Sequence, residues 1–289
     1  MIDFLQQIIN GLLIGGLYAL VALGISLVFG LTEMVNFAHG EIVMLGGYVT
    51  FSLTQGRGVP FLVSLVVALL FGAALGVVLD RSAFRFTRGE PMNGLVISLG
   101  LIMILQSLAM SIWGTEPLTM DVVFPGALRH WGLSLSVQKA VTVAVTALLI
   151  AAFGVFLAWS RTGRALRALS QEREAAVYMG IPVERYVAVS MAIGTALAAG
   201  AGAMFAALFS LTPFVGSSLT AKGFIVVTLG GLGSAAGTIV GALVLGIVEA
   251  LGAGYLSAAF TDAYGLLVFM VVLILRPAGL FGVTARVKL

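Results

Sequence analysis

Long apolar runs without charged residues dominate the chain, and short polar or Gly/Pro-rich turns separate them. A helix needs roughly 20 consecutive apolar residues to cross the hydrocarbon core of a bilayer. Runs of about that length cover residues 8–30, 61–79, 92–113, 140–159, 187–212, 223–248 and 257–275. A further apolar stretch, 42–54, is too short to cross comfortably. The pattern predicts an all-α, polytopic membrane bundle of about eight transmembrane or re-entrant helices.

Composition supports a membrane domain and excludes other classes. Hydrophobic residues make up 60% of the chain and charged residues only 9%, whereas soluble domains carry about 25% charged residues. No hydrophilic stretch is long enough for a separate soluble domain, so residues 1–289 are predicted to form a single membrane domain. The absence of cysteine excludes disulfides and thiol nucleophiles.

The positions of the basic residues predict orientation. Most of the 15 basic residues lie in clusters between the apolar runs: Arg81, Arg85 and Arg88; Arg161, Arg164, Arg167, Arg173 and Arg185; Arg276, Arg286 and Lys288. Clustered Lys and Arg are typical of cytoplasmic segments. This arrangement argues against nucleic-acid binding despite the net charge of +3, and it predicts that the loops 114–136 and 213–221 face outward.

With the orientation predicted above, three apolar runs follow Arg185, and three full crossings would place the C-terminus outside. The basic residues near the C-terminus favour the inside, so one of these runs must not be a single crossing. The glycine-rich residues 230–237 interrupt the run 223–248 and could break a helix at membrane depth, so that a short helix enters from outside and a second returns outward. The stretch 42–54, preceded by polar residues 32–41, is a counterpart in the N-terminal half. Broken helices in two halves of a transporter point toward the solute pathway. The alternative is one kinked helix and a C-terminus on the outside.

The densest polar cluster between apolar runs is 32–41, which contains Asn36, His39 and Glu41. Ionisable side chains inside a bilayer are expensive and indicate function. These residues are candidates for the translocation pathway, where Asn36 and His39 could contact a polar solute or hold the broken backbone. The alternative is an interfacial loop in which Asn36 caps the following helix. No third ligand lies nearby in the sequence, so no metal site is predicted.

Glycines at regular spacing predict close helix packing. Small residues four apart let membrane helices approach closely, and this pattern is formed by Gly11 and Gly15, by Gly72 and Gly76, and by Gly233, Gly237 and Gly241. Gly230, Gly231 and Gly233 are also candidates for the pathway, because they lie at the predicted break. The spacing loosely resembles a dinucleotide-binding motif, but the strand–helix–strand context that such a motif needs is missing.

The polar segment 160–186 is predicted to be cytoplasmic and to contain an amphipathic helix. Its apolar positions between 165 and 179 recur at helical spacing, and Gly180 and Pro182 supply a stop. An amphipathic helix of mixed charge suits docking on another protein; the alternative is a helix lying on the lipid surface. No phosphate-binding G-x-x-x-x-G-K-[ST] motif occurs in the chain. We therefore expect no catalytic residues and no cofactor, and any use of ATP must come from a partner.

Three separated stretches carry motifs: residues 30–41 with 44–48, Glu174-Ala175-Ala176-x-x-x-Gly180, and 230–241 with Glu249 and 275–280. With them the whole chain resembles the LivH-type membrane permease subunits of bacterial branched-chain amino acid ABC importers. The second motif is similar to the EAA-x-x-x-G element by which ABC permeases contact their ATPases. The resemblance implies that ATPase coupling involves Arg164, Leu166, Glu174, Ala175, Ala176 and Gly180.

The resemblance also implies a complex in the bacterial inner membrane. A second, related permease subunit, two cytoplasmic ATP-binding subunits and a periplasmic substrate-binding protein are the expected partners, with membrane lipid around the bundle. Transport is expected to proceed by alternating access. Branched-chain amino acids are the expected solute, and relatives that carry other amino acids, urea and short amides, or aromatic acids leave related small polar solutes open.

Two other transport functions compete with this interpretation. An ion-coupled secondary transporter needs buried acidic residues in mid-span, and the predicted spans contain none. A passive channel needs no cytoplasmic docking helix. Co-purification with ATPase subunits and dependence of uptake on ATP distinguish the ABC importer from both.

Overall fold

Helices form nearly all of the regular structure in the computed structural model, which describes residues 2–87, 90–130 and 133–281. The helices are α1 (Ile2–Thr32), α2 (His39–Arg57), α3 (Phe61–Ser82), α4 (Pro91–Trp113), α5 (Val137–Trp159), α6 (Arg161–Gln171), α7 (Arg173–Tyr178), α8 (Val183–Ala206), α9 (Val215–Gly230), α10 (Ala235–Tyr255) and α11 (Thr261–Leu275). Short 3₁₀ turns cover Phe84–Thr87 and Ala258–Phe260. The predicted all-α bundle is confirmed.

A small hairpin is the exception to the all-α prediction. Strands β1 (Ala127–His130) and β2 (Leu133–Ser136) pair antiparallel between α4 and α5. They lie within the loop 114–136, whose sequence does not carry the apolar pattern of a span. In the part of the chain that the structure describes, this is the only sheet.

Among the described residues, 7 helices are long and apolar enough to cross a membrane: α1, α3, α4, α5, α8, α10 and α11, the last counted from Ala258. Helix α2 is longer than its apolar core 42–54, and α9 has only 16 residues. The predicted run 223–248 is therefore two helices, with a break at residues 231–234. The helix predicted for the run 187–212 ends earlier than predicted, because α8 ends at Ala206.

Helices α1 and α8 lie at the centre, with 72% of the most apolar window of each buried, whereas α4 and α5 lie at the rim with 17% buried. The central helices approach through glycines. A Cβ on Gly11 of α1 would lie 2.6 Å from the Cα of Ile247, and a Cβ on Gly15 would lie 2.8 Å from the carbonyl oxygen of Ala242, both in α10. The same close approach to a neighbouring helix backbone occurs at Gly72, Gly76, Gly237 and Gly241.

One end of the bundle, which we call the α6 end, collects α6, the end of α1 and the turn between α9 and α10. A Cβ on Gly30 would lie 3.7 Å from the Cβ of Ser170 and 3.9 Å from the Cα of Gly233. Residues 276–281 pack there too, since the Leu280 N–H donates to the carbonyl of Leu229 at 2.8 Å. The prediction that the glycine break lies at mid-depth is therefore wrong: with 21 residues α10 is long enough to cross, and its first turn lies at the α6 end.

The opposite end, which we call the hairpin end, is formed by the loop after α4 and the segment after α8. The Leu118 N–H donates to the carbonyl of Leu211 at 2.9 Å, and the Leu211 N–H donates back at 2.8 Å. The side-chain amide of Gln138 in α5 donates to the carbonyl of Ala207. These bonds fix the segment 207–214 before it leads into α9.

The predicted single amphipathic helix between 165 and 179 is two helices. The backbone of Glu172 is extended (φ −151°, ψ 95°), so that α6 ends and α7 begins around it. Gly180 has φ +80°, which is the left-handed conformation expected of a helix stop. Three residues of the predicted basic clusters, Arg88, Arg286 and Lys288, lie outside the described residues.

Candidate functional site

The chain breaks between α1 and α2, starting at the exposed Glu33 and leading to the buried first turn of α2. Glu33 has φ +55°, which is unusual for a residue with a side chain. Asn36 Oδ1 accepts a hydrogen bond from the Ala38 N–H at 3.0 Å and so forms a local turn just before α2. Helix α2 then begins with His39 and Glu41 almost fully buried, 1% and 0% exposed. The predicted break at 32–41 is present, and the first turn of α2 lies in the interior.

Helix α9 also begins inside the bundle, and its first turn meets the first turn of α2. A Cβ on Gly40 would lie only 1.9 Å from the carbonyl oxygen of Gly216, so the two backbones touch where neither residue has a side chain. Thr220 Oγ1 accepts a hydrogen bond from the Gly40 N–H at 2.8 Å and donates to the carbonyl of Phe37 at 3.1 Å. The N-termini of two short helices therefore converge at one point.

The carboxylate of Glu41 lies at this crossing. Its Oε1 accepts hydrogen bonds from Gln106 Nε2 of α4 and from Ser217 Oγ of α9, each at 3.0 Å. Gln106 Nε2 also lies 3.0 Å from Ser217 Oγ. Glu41 Oε2 points toward α9, where a Cβ on Gly216 would lie 2.5 Å from it. The positive ends of two helix dipoles and two neutral donors therefore surround this carboxylate.

The other two residues predicted for this site face elsewhere. His39 packs against α1 and α8, and a Cβ on Gly24 would lie 2.7 Å from His39 Nε2. Asn36 lines a cavity of about 10 Å³ together with Asp80. His39 Nε2 and Asn36 Nδ2 are buried, and no residue that the structure describes forms a hydrogen bond with either. Asn36, His39 and Glu41 therefore share one break in the chain but do not form one site.

The predicted glycines at the second break are remote from this crossing. Gly231 and Gly233 have φ +100° and +81°, as the turn between α9 and α10 requires. Gly230 is buried, and its carbonyl accepts a hydrogen bond from the Phe281 N–H at 3.1 Å. Gly233 lines a cavity of about 300 Å³ at the α6 end together with Gly30. The structure thus places this trio at the α6 end, apart from Glu41.

A second polar cluster was not predicted; its Glu249 and Tyr18 are buried, whereas its Asp262 is 81% exposed. Lys222 Nζ of α9 lies 2.8 Å from Glu249 Oε2 of α10 and 2.9 Å from Asp262 Oδ1 of α11. It also donates to Tyr18 Oη of α1 at 2.8 Å, and Tyr18 Oη donates to Glu249 Oε2 at 2.7 Å. We call these four residues the lysine cluster. It joins four helices through a network in which Lys222 and the Glu249 carboxylate have several partners each.

The sequence pattern did not predict this cluster because Lys222 and Glu249 flank the uncharged run 223–248 on its two sides. In sequence they therefore resemble the ends of a membrane span. The break at 231–234 moves both into helix interiors. The prediction that the spans have no acidic residue in mid-span is therefore wrong for α10, where Glu249 is 2% exposed. Asp80 is also 2% exposed, but it lies near the end of α3. Gln106 and Ser217 were also missed, because single uncharged polar residues in apolar runs carry no distinctive pattern.

The residues predicted to couple to an ATPase lie at the α6 end. Leu166 and Ala176 are buried and attach α6 and α7 to the bundle. The exposed members of the set are Arg164, Glu174, Ala175 and Gly180. Beside them α7 and the residue after it present bare apolar side chains, with Tyr178 87% and Met179 83% exposed. The segment is therefore anchored on one side and open on the other. Among the described residues there is no group of three or more His, Cys, Asp or Glu side chains placed to hold a metal ion.

The fold defines a polytopic helical membrane protein, and comparison with known proteins specifies the family. The model of the branched-chain amino acid transport system / permease component family matches residues 7–276, and the chain belongs to this family. The LivH permease protein of the high-affinity branched-chain amino acid transport system of Escherichia coli (strain K12) is 33% identical over 96% of each chain.

Two further relatives extend the comparison. The BraD permease protein of Pseudomonas aeruginosa is 32% identical over 96% of each chain. The LivM permease protein of Escherichia coli (strain K12) is 25% identical over 93% of this chain and 68% of its own length. Homologues of this chain are thus permease components of transport systems and not enzymes, and the predicted family is confirmed.

Proposed function

We propose that this chain is the permease subunit of an ATP-driven importer in the bacterial inner membrane, and that it passes branched-chain amino acids or a related small polar solute by alternating access. The observation that carries the proposal is the family match over residues 7–276, together with LivH relatives that align over 96% of both chains. Family membership favours this function over an ion-coupled transporter or a passive channel, the first of which the buried Glu249 and Asp80 would otherwise permit.

We propose that the importer contains a second, related permease beside this chain. In Escherichia coli the high-affinity branched-chain system has both a LivH and a LivM permease protein, and both are similar to this chain. The two permeases would enclose the solute pathway between them. A periplasmic substrate-binding protein would deliver the solute at the hairpin end, which contains the loop 114–136 that is predicted to face outward.

We propose that two cytoplasmic ATPase subunits dock at the α6 end. The support is an anchored helix pair that leaves Tyr178 and Met179 bare beside charged residues, since an apolar surface with a polar rim favours contact with another protein. ATP would be bound by those subunits, and this chain would hold no cofactor. Movement of α6 and α7 would reach the bundle through the buried side chains of Leu166 and Ala176.

Within the bundle, we propose that Glu41 borders the pathway, whereas Asn36 and His39 hold the broken backbone that positions it. Asn36 Oδ1 accepts a hydrogen bond from the Ala38 N–H, and the His39 ring is buried against Gly24 of α1. Gly230, Gly231 and Gly233 would border the inner exit, where Gly233 lines the cavity at the α6 end.

Co-purification and uptake test the proposed function. The tagged chain is expressed with its candidate partner permease, ATPases and binding protein, and the purified complex is placed in proteoliposomes. We expect the ATPases to travel with the chain and labelled leucine uptake to require ATP and the binding protein. Absence of an ATPase from the complex, together with uptake that survives ATP depletion, would refute the ABC importer.

The coupling segment has its own test in Gly180→Pro. Proline fixes φ near −65° and cannot adopt the +80° found here, so the joint between α7 and α8 must rearrange. We expect ATP hydrolysis to continue while uptake per ATP falls at least about tenfold, because a rearranged joint transmits less movement. Gly154→Ala, at a position with open space around the backbone, is the control and should leave coupling intact. Unchanged coupling in Gly180→Pro would contradict the docking role.

A further inference from the structure

Glu41 carries a carboxylate for which the structure supplies donors but no positive charge. Its side chain is fully buried, yet within the described residues no Lys, Arg or His side chain pairs with it. An ionised carboxylate removed from water is costly unless it is paired and hydrogen-bonded. In a membrane domain such a residue marks a function and calls for a partner.

The hydrogen bonds of Glu41 are also incomplete. Oε1 accepts from both Gln106 and Ser217, whereas Oε2 is buried and receives no hydrogen bond from any residue in the described ranges. The first turns of α2 and α9 provide partial positive charge, but partial charge near a carboxylate is weaker than a cation in contact with it. A cation able to donate a hydrogen bond would satisfy Oε2 and compensate the charge together.

The carboxylate can be reached by moving one side chain. Gln106 is half-buried and Ser217 is exposed, so Glu41 lies directly beneath the surface formed by α4 and α9. Ser218 of α9 is exposed beside Ser217 as well. A face of this kind suits a wet pathway between subunits better than contact with lipid chains. Rotation of Gln106 would open the way from this face to Oε2.

We propose that Glu41 receives the ammonium group of the amino acid during passage, and that Gln106 covers the carboxylate when no substrate is present. An ammonium group has three donors and a full positive charge, which match the unpaired Oε2 and the uncompensated charge. Ser217 holds Oε1 and so keeps the carboxylate oriented when Gln106 moves aside. This inference rests on the proposed function, since it assumes that the solute is an amino acid.

The first test compares Glu41→Gln with wild type in the full complex in proteoliposomes. The variant keeps the shape and the acceptor oxygen but removes the charge. We expect leucine uptake to fall about tenfold or more, as for truncation of a buried charge pair, while ATP hydrolysis stimulated by the loaded binding protein persists. Asp3→Asn, the same kind of charge removal at an exposed carboxylate in the first turn of α1, is the control and should transport normally. Wild-type uptake by Glu41→Gln would overturn the proposal.

The second test needs no variant and so does not depend on folding. Uptake by the wild-type complex, with the binding protein saturated by leucine, is measured with two inhibitors. Isopentylamine carries the branched chain and the ammonium, whereas 4-methylpentanoate carries the branched chain and a carboxylate. We expect inhibition by the amine at concentrations about tenfold lower than by the acid, because only the amine can pair with Glu41.

Equal inhibition by the two compounds, or stronger inhibition by the acid, would overturn the proposal. So would inhibition by sodium or potassium chloride, against a choline control, in the absence of an effect of the amine, because the site would then prefer a metal cation. These outcomes differ from failure of the proposed function, in which the wild-type complex takes up no branched-chain amino acid at all.

Discussion

The bundle contains two groups of polar side chains, each centred on a buried glutamate, that differ in how completely this glutamate is paired. In the lysine cluster, Lys222 contacts two carboxylates and a hydroxyl, and Glu249 accepts from both Lys222 and Tyr18. At the crossing of α2 and α9, Glu41 keeps one oxygen without a donor and has no cation beside it in the described part of the chain. Both groups join several helices, so connectivity does not distinguish them.

The difference in pairing indicates that one group has a structural role and the other a functional role. A buried ion pair whose atoms are satisfied by the chain itself has no capacity left for a solute, and it fixes the relative positions of its helices. A buried carboxylate with an unused oxygen has capacity for one more partner. We therefore interpret the lysine cluster as a fixed joint of α1, α9, α10 and α11, and the crossing as a place where a ligand completes the bonding.

The largest effect is expected from breaking the fixed joint. Lys222→Met leaves Glu249, which is 2% exposed, without its cation. We expect unfolding of the bundle to become easier by about 3–5 kcal/mol, as when one partner of a buried pair is removed. Thermal unfolding of the purified protein in detergent, followed by size-exclusion chromatography, measures the change.

The matched control is the double variant Lys222→Met with Glu249→Met. Replacing both partners with apolar side chains of similar volume removes the uncompensated charge, so most of the lost stability should return. Losses that simply add in the double variant would show that the two side chains do not act as a pair, and the comparison with Glu41 would lose its basis.

A smaller effect is expected from separating the two short helices. A Cβ on Gly40 would lie 1.9 Å from the carbonyl oxygen of Gly216, and a backbone atom cannot rotate away as a side chain can. Gly40→Ala should therefore lower stability by about 1–3 kcal/mol or more, the usual range for overpacking. It should also displace Glu41 and reduce uptake.

Gly56→Ala is the control for this substitution, because Gly56 also lies in α2 but has nothing within 4 Å of the position that a Cβ would take. Replacing an exposed helical glycine with alanine should raise stability by about 0.5–1 kcal/mol. Thermal unfolding of both variants should thus give changes of opposite sign. If Gly40→Ala does not lower stability relative to wild type, the crossing tolerates separation.

Hydropathy predicted the embedded helices well because the bilayer requires long apolar runs. It could not predict which polar residues meet. Lys222 and Glu249 stand at the ends of an uncharged run, and only the turn at 231–234 brings them into contact. Gln106 and Ser217 belong to no recognisable sequence motif. Their role depends on α4 and α9, which come from different parts of the chain and both contact Glu41.

The polar break at 32–41 was recognised for its chemistry, but the directions of its side chains depend on packing. Asn36 turns toward Asp80, His39 toward Gly24 and Glu41 toward α9. His39 and Glu41 are two residues apart in α2, so their side chains point about 200° apart around the helix. Asn36 precedes the helix, in the turn that leads into it. Which neighbour each one meets is a property of the assembled bundle.

The smallest effect on stability is expected for Glu41→Gln at the crossing of α2 and α9. This variant removes a buried charge, whereas Lys222→Met leaves the buried Glu249 carboxylate without its cation. Glutamine keeps an acceptor for Gln106 and Ser217, and the energetic cost of a buried carboxylate without a cation disappears. The loss of charge-assisted hydrogen bonds and the gain from relieved desolvation should nearly cancel, so that stability changes by less than about 1 kcal/mol or rises slightly. The measurement is the thermal unfolding of Glu41→Gln, compared with that of Lys222→Met under the same conditions. A loss as large as that of Lys222→Met would mean that the Glu41 charge is already compensated in the resting bundle, and the two buried groups would then serve the same structural purpose.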